Sequence, residues 1–526
     1  MDSSNGEEYK VVISCWGNYK YWDDVLYKYR VDDGKYICVE GTTSLKAICE
    51  AEAPNDIIIF LLDTLYVNHL GASIDKRYES IVELIVDDAL NHVIKNVFDS
   101  KPIDRESIKI YVLPGKGRFK SGSGSILVVE GRMSDARYIM YYHLIMYFLD
   151  LIDRYRENLN LKVIVDLTHG INYVTAYLMD NLLKLMGILK SLYKNMKLIF
   201  LNSDPYRRDN KDVIDSLEIN SLYDIGKSYP FTEYIPEDRI DNKRIFNVNK
   251  NIDVIDKKYN LEELGKEVKK KTELYNPYIL QVNIFMDGIR WGLPLATYHF
   301  IPDVNFLKGY IDLIKNEFLD KHLIFNGGNK GVYIIFRALS LTGEFHKLLS
   351  SLLYAKIVSI YLEESLSKGW LTLKDLNNFT EKIYSNSMDP RRILIKNESN
   401  KIYGLINEYR KSYGVERVTE ERYYSLLLKL KKTSILPWLG SGESINDWRR
   451  NLIAHAGFHN ALVAISLDKP NDIKFRYCLE DKVVVYNDKI YFDLKSIEDA
   501  ALREKLESMD GLPIKSLLCE KWFKSK

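Results

Sequence analysis

Leu161-Lys162-Val163-Ile164-Val165-Asp166-Leu167-Thr168-His169-Gly170-Ile171-Asn172 is the stretch on which the fold reading turns. Its first seven residues are apolar apart from Lys162 and Asp166, as a strand covered on both faces requires. Polar residues and a glycine follow, and from Ile171 to Leu189 apolar side chains recur at helical spacing. A buried strand, a tight turn and a helix together form the repeating unit of a parallel sheet. The same texture surrounds it. Val11 to Ser14, Ile57 to Leu62, Ile108 to Leu113 and Leu198 to Asn202 read as strands. Ser44 to Ile48, Ile81 to Phe98 and Arg137 to Tyr155 read as helices or their starts. This alternation predicts a doubly wound, mainly parallel, Rossmann-like α/β domain over residues 1–210.

The pattern loosens beyond it. Residues 211–325 carry charged and proline-containing stretches and read as a linker or helical connector, with Leu293-Pro294-Leu295 as a turn between helical pieces. Residues 326–526 are dominated by helical periodicity. There Phe345, Leu348, Leu349, Leu352, Leu353, Ile357 and Ile360 form one stripe. After residue 460, Lys474 to Leu479 and Val483 to Leu494 suggest a small β-hairpin insertion turning at Asn487-Asp488. The fold class is therefore α/β followed by an all-helical domain with a small β-insertion.

Composition narrows the function classes. Lysine and arginine number 74 against 73 acidic residues, so the net charge of +1 argues against a general nucleic-acid coat and confines any such site to a local patch. The five cysteines contain no C-x-x-C pair, so no disulfide framework or thiolate zinc site is indicated, and no metal is expected. The longest uncharged apolar run, Tyr138 to Leu149, falls short of the ~20 residues a membrane span needs. Residues 1–10 lack a signal-peptide core. A soluble, cytoplasmic protein with no membrane partner is expected.

Open parallel sheets bind ligands at the carboxyl ends of their strands. Two segments place polar groups there: Ser14-Cys15-Trp16-Gly17-Asn18 after the first strand, and Asp166 to Asn172 after a late one. Gly170 permits a close turn, Thr168 can donate to a phosphate or ribose oxygen, and His169 can stack on or bond to a base. A purely structural turn with Asn172 as helix cap is the alternative. Pro114 to Gly124 is glycine-rich but lacks the lysine spacing of a phosphate loop and reads as a mobile loop, with Lys116 or Arg118 lesser candidates for touching an anion.

Trp448-Arg449-Arg450-Asn451-Leu452-Ile453-Ala454-His455 carries the second signal. Arginine can hold the charge of a phosphoryl transition state and histidine can move a proton near neutral pH. Together they suffice for metal-free RNA cleavage, in which the 2′-OH attacks its own phosphate and the 5′-oxygen leaves. Five helical steps set the two side chains ~140° apart around a helix and ~7.5 Å apart along it. A site at a helix start, or one shared by two copies, meets that constraint. Asn451 could orient a neighbouring side chain.

Taken together, these segments resemble a known family. Asp166 to Asn172 resembles the second signature of the CARF domain, the CRISPR-associated Rossmann-like sensor, and Ser14 to Trp22 resembles the signature after that domain's first strand. Arg450 to His455 is similar to the R-x-x-x-x-H motif of HEPN ribonucleases. The order and spacing resemble the CARF–HEPN ribonucleases of type III CRISPR antiviral defence. That resemblance implies a homodimer or higher oligomer whose CARF domains bind cyclic oligoadenylate, the cyclic tetramer in particular, across a two-fold axis. It implies Ser14, Trp16, Gly17, Asn18, Thr168, His169, Gly170 and Asn172 as ligand-binding residues. It also implies Arg450, Asn451 and His455 as the catalytic set, cutting single-stranded RNA to 2′,3′-cyclic phosphate ends with no cofactor beyond the activator. A CARF-type sensor without nuclease activity is the alternative. A dinucleotide enzyme fits poorly, since Gly17 stands alone where G-x-G-x-x-G would be needed.

Overall fold

The computed structural model describes residues 8–31, 34–70, 77–99, 104–157, 159–193, 195–205, 216–225, 235–236, 238–249, 261–321, 323–329, 331–385, 388–422, 443–444, 454, 456–458, 463–467, 472–478, 482–486, 489–491, 500–509 and 512–513. In the N-terminal part the elements run β1 (Glu8–Cys15), β2 (Val25–Arg30), β3 (Tyr36–Gly41), α1 (Ser44–Glu52), β4 (Asp56–Leu62), α2 (Tyr78–Asn96), β5 (Ile108–Leu113), β6 (Gly117–Lys120), β7 (Ile126–Glu130), α3 (Ser134–Tyr155), β8 (Asn160–Asp166), α4 (Asn172–Leu189), β9 (Met196–Ser203) and β10 (Leu217–Ile225).

Eight of these strands form one sheet in the order β3-β2-β10-β9-β8-β1-β4-β5. The five from β9 to β5 are parallel, as the apolar runs predict. Every residue of β4 is buried, so both faces are covered. Ile57, Ile59 and Leu61 share a core with Leu45 and Ile48 of α1 and with Ile81, Ile85, Ala89 and Val93 of α2. The alternate residue Phe60 packs its ring on Tyr111 of β5, which stacks on His143 of α3. Because strand side chains alternate, α3 lies on the opposite face. Thr43 starts α1 by accepting the Leu45 N–H at 3.3 Å.

The sequence reading missed the antiparallel end of this sheet. β10 runs against β9, β2 runs alongside β10, and β3 closes the edge against β2. These strands expose part of one face, so charged residues interrupt their apolar pattern and no continuous run marks them. A second correction concerns Pro114 to Gly124. Gly117–Lys120 pairs with Ile126–Glu130 around a turn closed by Ser121 N–H to Ser125 C=O at 2.8 Å, so the glycine-rich segment is half of a hairpin rather than a mobile loop. β7 then pairs in parallel with Val332–Arg337, which pairs in turn with Leu323–Asn329. Arg337 is fully buried and bonds Asp63, which also takes the Tyr78 hydroxyl at 3.1 Å and the Gly115 N–H at 2.8 Å.

The chain divides into two compact units that do not follow chain order. One takes Met1–Tyr229, Ile240–Tyr275 and Asn305–Leu353, the other Pro230–Arg239, Asn276–Val304 and Tyr354–Lys526. The second contains helices Asn276–Trp291, Pro294–His299, Leu373–Ile383 and Pro390–Tyr413. The last of these starts where sequence rules place a start, with Asp389 accepting the Arg391 N–H at 2.9 Å and Pro390 in the first turn, and it ends at Gly414 with φ of +63°. The predicted apolar stripe is the helix Gly343–Tyr361. The hairpin expected past residue 460 is present in its second part, on either side of Asn487-Asp488, while its first part pairs with other strands. Ile473–Tyr477 pairs with Val463–Leu467 and Leu371–Thr372, while Lys482–Tyr486 pairs with Lys489–Tyr491, and Asn487-Asp488 lies outside the described residues. Among the described residues no helix is long and apolar enough to cross a membrane.

Burial holds six imidazoles, those of His69, His92, His143, His169, His299 and His346, below the ordinary histidine value, with His143 and His346 at about 3. The folded chain thus refuses protons that the unfolded chain accepts below pH ~6.5, so stability is fully present above that value and falls as the pH drops through it. Asp135, raised to about 6 by burial, works the other way at lower pH, so the histidine effect is cleanest between pH 7.5 and 6. Thermal unfolding midpoints should fall over that interval. Replacing His143 and His346 together by phenylalanine, which preserves their stacking on Tyr111 and Tyr141, should flatten the fall by roughly 0.8 kcal/mol per imidazole. Equal slopes in the two proteins would contradict this.

Candidate functional site

β1 and β8 lie side by side in register, with Ser14 opposite Asp166, so the two predicted polar segments leave the sheet together. A backbone bond ties them: the Gly17 N–H donates to the His169 C=O at 2.9 Å. Beneath this tie the buried Asp166 carboxylate accepts from the Ser44 hydroxyl at 2.8 Å, the Thr168 N–H at 3.1 Å and, more weakly, the Ser14 hydroxyl at 3.4 Å. Thr168 in turn accepts the Ser203 N–H at 3.1 Å, linking the turn to the end of β9.

His169 is held from three sides. Its ring stacks on Trp22, centroids 4.0 Å apart and planes 29° from parallel. Its Nε2 accepts the Ser44 N–H at 3.3 Å and lies 3.2 Å from the Tyr27 hydroxyl. A backbone N–H only donates, so Nε2 is the bare nitrogen and the neutral ring carries its proton on Nδ1. Burial lowers this imidazole below its ordinary value, with Asp166 partly opposing.

Trp22, Tyr27, Thr168 and His169 line a cavity of about 510 Å³ together with Tyr21 and the β9-end residues Asn202, Ser203 and Asp204. Its wall combines hydroxyls, an amide, aromatic rings and the carboxylates of Asp23 and Asp204, and Tyr21 is 64% exposed at its edge. Such a lining suits a ligand with planar bases and polar sugars.

Of the residues singled out by sequence, Thr168 and His169 line this cavity. Gly17 sits at the backbone tie. Ser14 is fully buried beneath it and Trp16 is 2% exposed, packed in the core against Tyr19, Trp22 and His92. Asn18 exchanges amide hydrogen bonds with Asn68 at 3.3 and 3.4 Å. Asn172 is exposed and is the first residue of α4; the cap position is Ile171, without a side-chain cap bond, so the capping role expected for Asn172 is not what the structure has. Gly170 has ordinary backbone angles, but a Cβ there would stand 2.0 Å from the Thr175 methyl and 3.3 Å from Cys15 Cβ. Sequence reasoning overlooked Tyr27 and Ser44. The signal for Ser44 was the Thr42-Thr43-Ser44 helix start, which turns a backbone N–H toward His169, whereas Tyr27 lies on β2, which no local pattern marked. Arg450, Asn451 and His455 lie outside the described residues.

A mainly parallel sheet with a cavity of about 510 Å³ at its strand ends, in a chain whose second unit carries several long helices, defines a Rossmann-like domain followed by a helix-rich one. Residues 11–205 match the family model described as CRISPR system endoribonuclease Csx1, CARF domain, and residues 388–480 match that for the HEPN domain of the same protein. The CRISPR system endoribonuclease Csx1 of Methanocaldococcus jannaschii is 24% identical over 495 residues, which cover 93% of each chain. The chain belongs to the CARF–HEPN endoribonucleases of CRISPR systems.

The tight contact at Gly170 yields a test. Gly170→Ala should lower stability by about 1–3 kcal/mol through overpacking. Adding Thr175→Ser, which removes the offending methyl and keeps the hydroxyl bonded to the Asn172 C=O at 2.9 Å, should recover most of it. Unfolding midpoints read both, and a double variant no better than Gly170→Ala would contradict the contact.

Proposed function

We propose that this chain is an endoribonuclease switched on by cyclic oligoadenylate, the cyclic tetramer in particular, which cuts single-stranded RNA without a metal in cytoplasmic antiviral defence. The observation that carries the reading is the junction of two strand-end turns, tied from Gly17 to His169, at the rim of a cavity faced by Thr168, His169 and Trp22. On this reading residues 1–210 hold the sensor and 326–526 the nuclease, and of the stretch 211–325 between them Asn276–Val304 belongs to the same compact unit as Tyr354–Lys526.

In the sensor, Trp22 supplies a stacking face for adenine and the hydroxyl of Thr168 meets ribose or phosphate, while the fixed imidazole of His169 keeps the wall in shape. Gly17 and Gly170 keep the turns close, and Ser14, Trp16, Asn18 and Asn172 support or border the site. A ligand with two-fold symmetry suits a homodimer, because each copy offers the same contacts. In the nuclease, Arg450 holds the charge that develops on the scissile phosphate, His455 moves the proton and Asn451 orients a neighbour. Attack by the 2′-OH leaves a 2′,3′-cyclic phosphate and a free 5′-OH. Activation requires the ligand to bind the cutting state more tightly than the resting one, since equal binding shifts nothing.

Cleavage of a fluorogenic RNA in EDTA, read with and without cyclic tetra-adenylate, tests the assignment. Arg450→Ala and His455→Ala should abolish cutting and leave ligand affinity intact. Undiminished cutting by both variants would overturn the catalytic assignment. For the sensor, Trp22→Ala should weaken ligand binding about 10-fold or more through loss of a stacked base, and unchanged affinity would remove Trp22 from the site.

A further inference from the structure

The four-stranded sheet of Leu323–Asn329, Val332–Arg337, β7 and β6 has β6 at its edge. Side chains alternate along β6. Phe119 turns inward and packs on the core of the N-terminal domain, whereas Arg118 and Lys120 are exposed on the other face. Register sets Arg118 opposite Val128 and Lys120 opposite Ile126, on the face that also carries Glu130 and its partner Phe336. Glu130 and Phe336 line a cavity of about 560 Å³ with Lys116, Arg132 and Asn247. Lys116, Arg118 and Lys120 therefore make a row along one face, its members about 6.7 Å apart at strand spacing. Arg132, from the chain just before α3, stands by the first of them.

Nothing among the described residues neutralises this row. Lys116, Arg118, Lys120 and Arg132 are all exposed, and none of their side chains has an ion pair or hydrogen bond there. Glu130 is the one carboxylate among the cavity residues and pairs with none of them. Other cations of the same domain do find partners: Lys20 meets Asp88 at 3.0 Å, Lys46 meets Asp99 at 2.9 Å and Lys109 meets Asp56 at 3.2 Å. A lysine on an edge strand can block pairing with a foreign sheet. That role needs one charge, and it does not explain a fourth cation from a different element. Like charges this close repel one another, and a string of anions relieves the repulsion.

The lining also selects the ligand. Phe336 is 1% exposed, so the cavity offers no open ring on which a base could stack. A line of cations without a stacking face suits a linear polyanion held by its backbone, rather than a compact nucleotide ring. The near-neutral chain confines nucleic-acid contact to a local patch, and this row is such a patch. We infer that Lys116, Arg118, Lys120 and Arg132 anchor the phosphate backbone of single-stranded RNA, without reading its sequence. This rests on the chain's membership of the endoribonucleases.

The test measures binding of a fluorescein-labelled 2′-O-methyl RNA, which lacks the attacking hydroxyl, to the full-length chain across a salt series. The triple variant Lys116→Gln, Arg118→Gln, Lys120→Gln should bind about 10-fold or more weaker at low salt. Its plot of log affinity against log salt should be shallower by about 2, as loss of three phosphate contacts requires. Cyclic tetra-adenylate affinity and the unfolding midpoint should stay unchanged. A control with the same charge loss at scattered exposed lysines, Lys95→Gln, Lys197→Gln, Lys308→Gln, should lose far less RNA affinity. Equal losses in the two triples would reduce the effect to net charge and overturn the anchor. Unchanged RNA affinity in the first triple, with new self-association or weaker activator binding, would make the row an edge guard or an activator contact and overturn it too. No binding of the RNA by the unmodified chain at any salt concentration would overturn RNA as the substrate and the anchor with it.

Discussion

A buried carboxylate with hydrogen-bond donors around it organises the strand-end face of the N-terminal domain. Asp166 is wholly removed from solvent, and among the described residues no cation pairs with it. A charge in that setting is tolerated only when donors surround it. The donors come from β1 through Ser14, from the start of α1 through Ser44, and from the turn after β8 through Thr168. One anion therefore ties the ends of three chain segments together. Ser44 presents its N–H to His169 from the same helix start that serves Asp166, so one helix start braces both the buried carboxylate and an imidazole of the cavity wall.

The parallel heart of the sheet was legible because strands covered on both faces cannot hide their composition: β4 is apolar from Ile57 to Leu62 and buried throughout. Its antiparallel edge was not. β2 and β3 mix tyrosine, lysine and glutamate with apolar residues because one side meets solvent, and nothing local signals that β10 will lie between β2 and β9. The site inherits this division. Thr168 and His169 sit on the legible strand–turn–helix unit and do face the cavity, whereas Tyr27 enters from the edge that sequence could not place. Trp16 shows the converse. A tryptophan beside a glycine at a strand end invites a binding role, yet its indole fills the core and Trp22, six residues on, turns to the cavity.

The second compact unit teaches a related lesson. Asn276–Val304 looked like connector from its charge and proline content, but these residues fold with Tyr354–Lys526. Helix Pro294–His299 lies against Ile473–Tyr477, almost two hundred positions later, through the His299–Tyr477 pair. Periodicity cannot reveal such a pairing, since it reports which face of an element is apolar and not which element covers it. The arginine and histidine of the R-x-x-x-x-H motif, read from residue types alone, lie outside the described residues. The bond between Tyr477 and Gly457 was not legible, because glycine and tyrosine at those positions carry no signal until the fold brings them within 3.1 Å.

The central claim is that occupancy of the strand-end cavity controls RNA cleavage. It is tested most directly by titrating the purified chain with cyclic oligoadenylates of different ring size and following a fluorogenic RNA at fixed protein concentration. The account predicts negligible cutting without ligand and a saturable rise with one ring size, following the ligand's own binding curve. A cleavage rate that is the same with and without every ring, while the ligand binds, would contradict it.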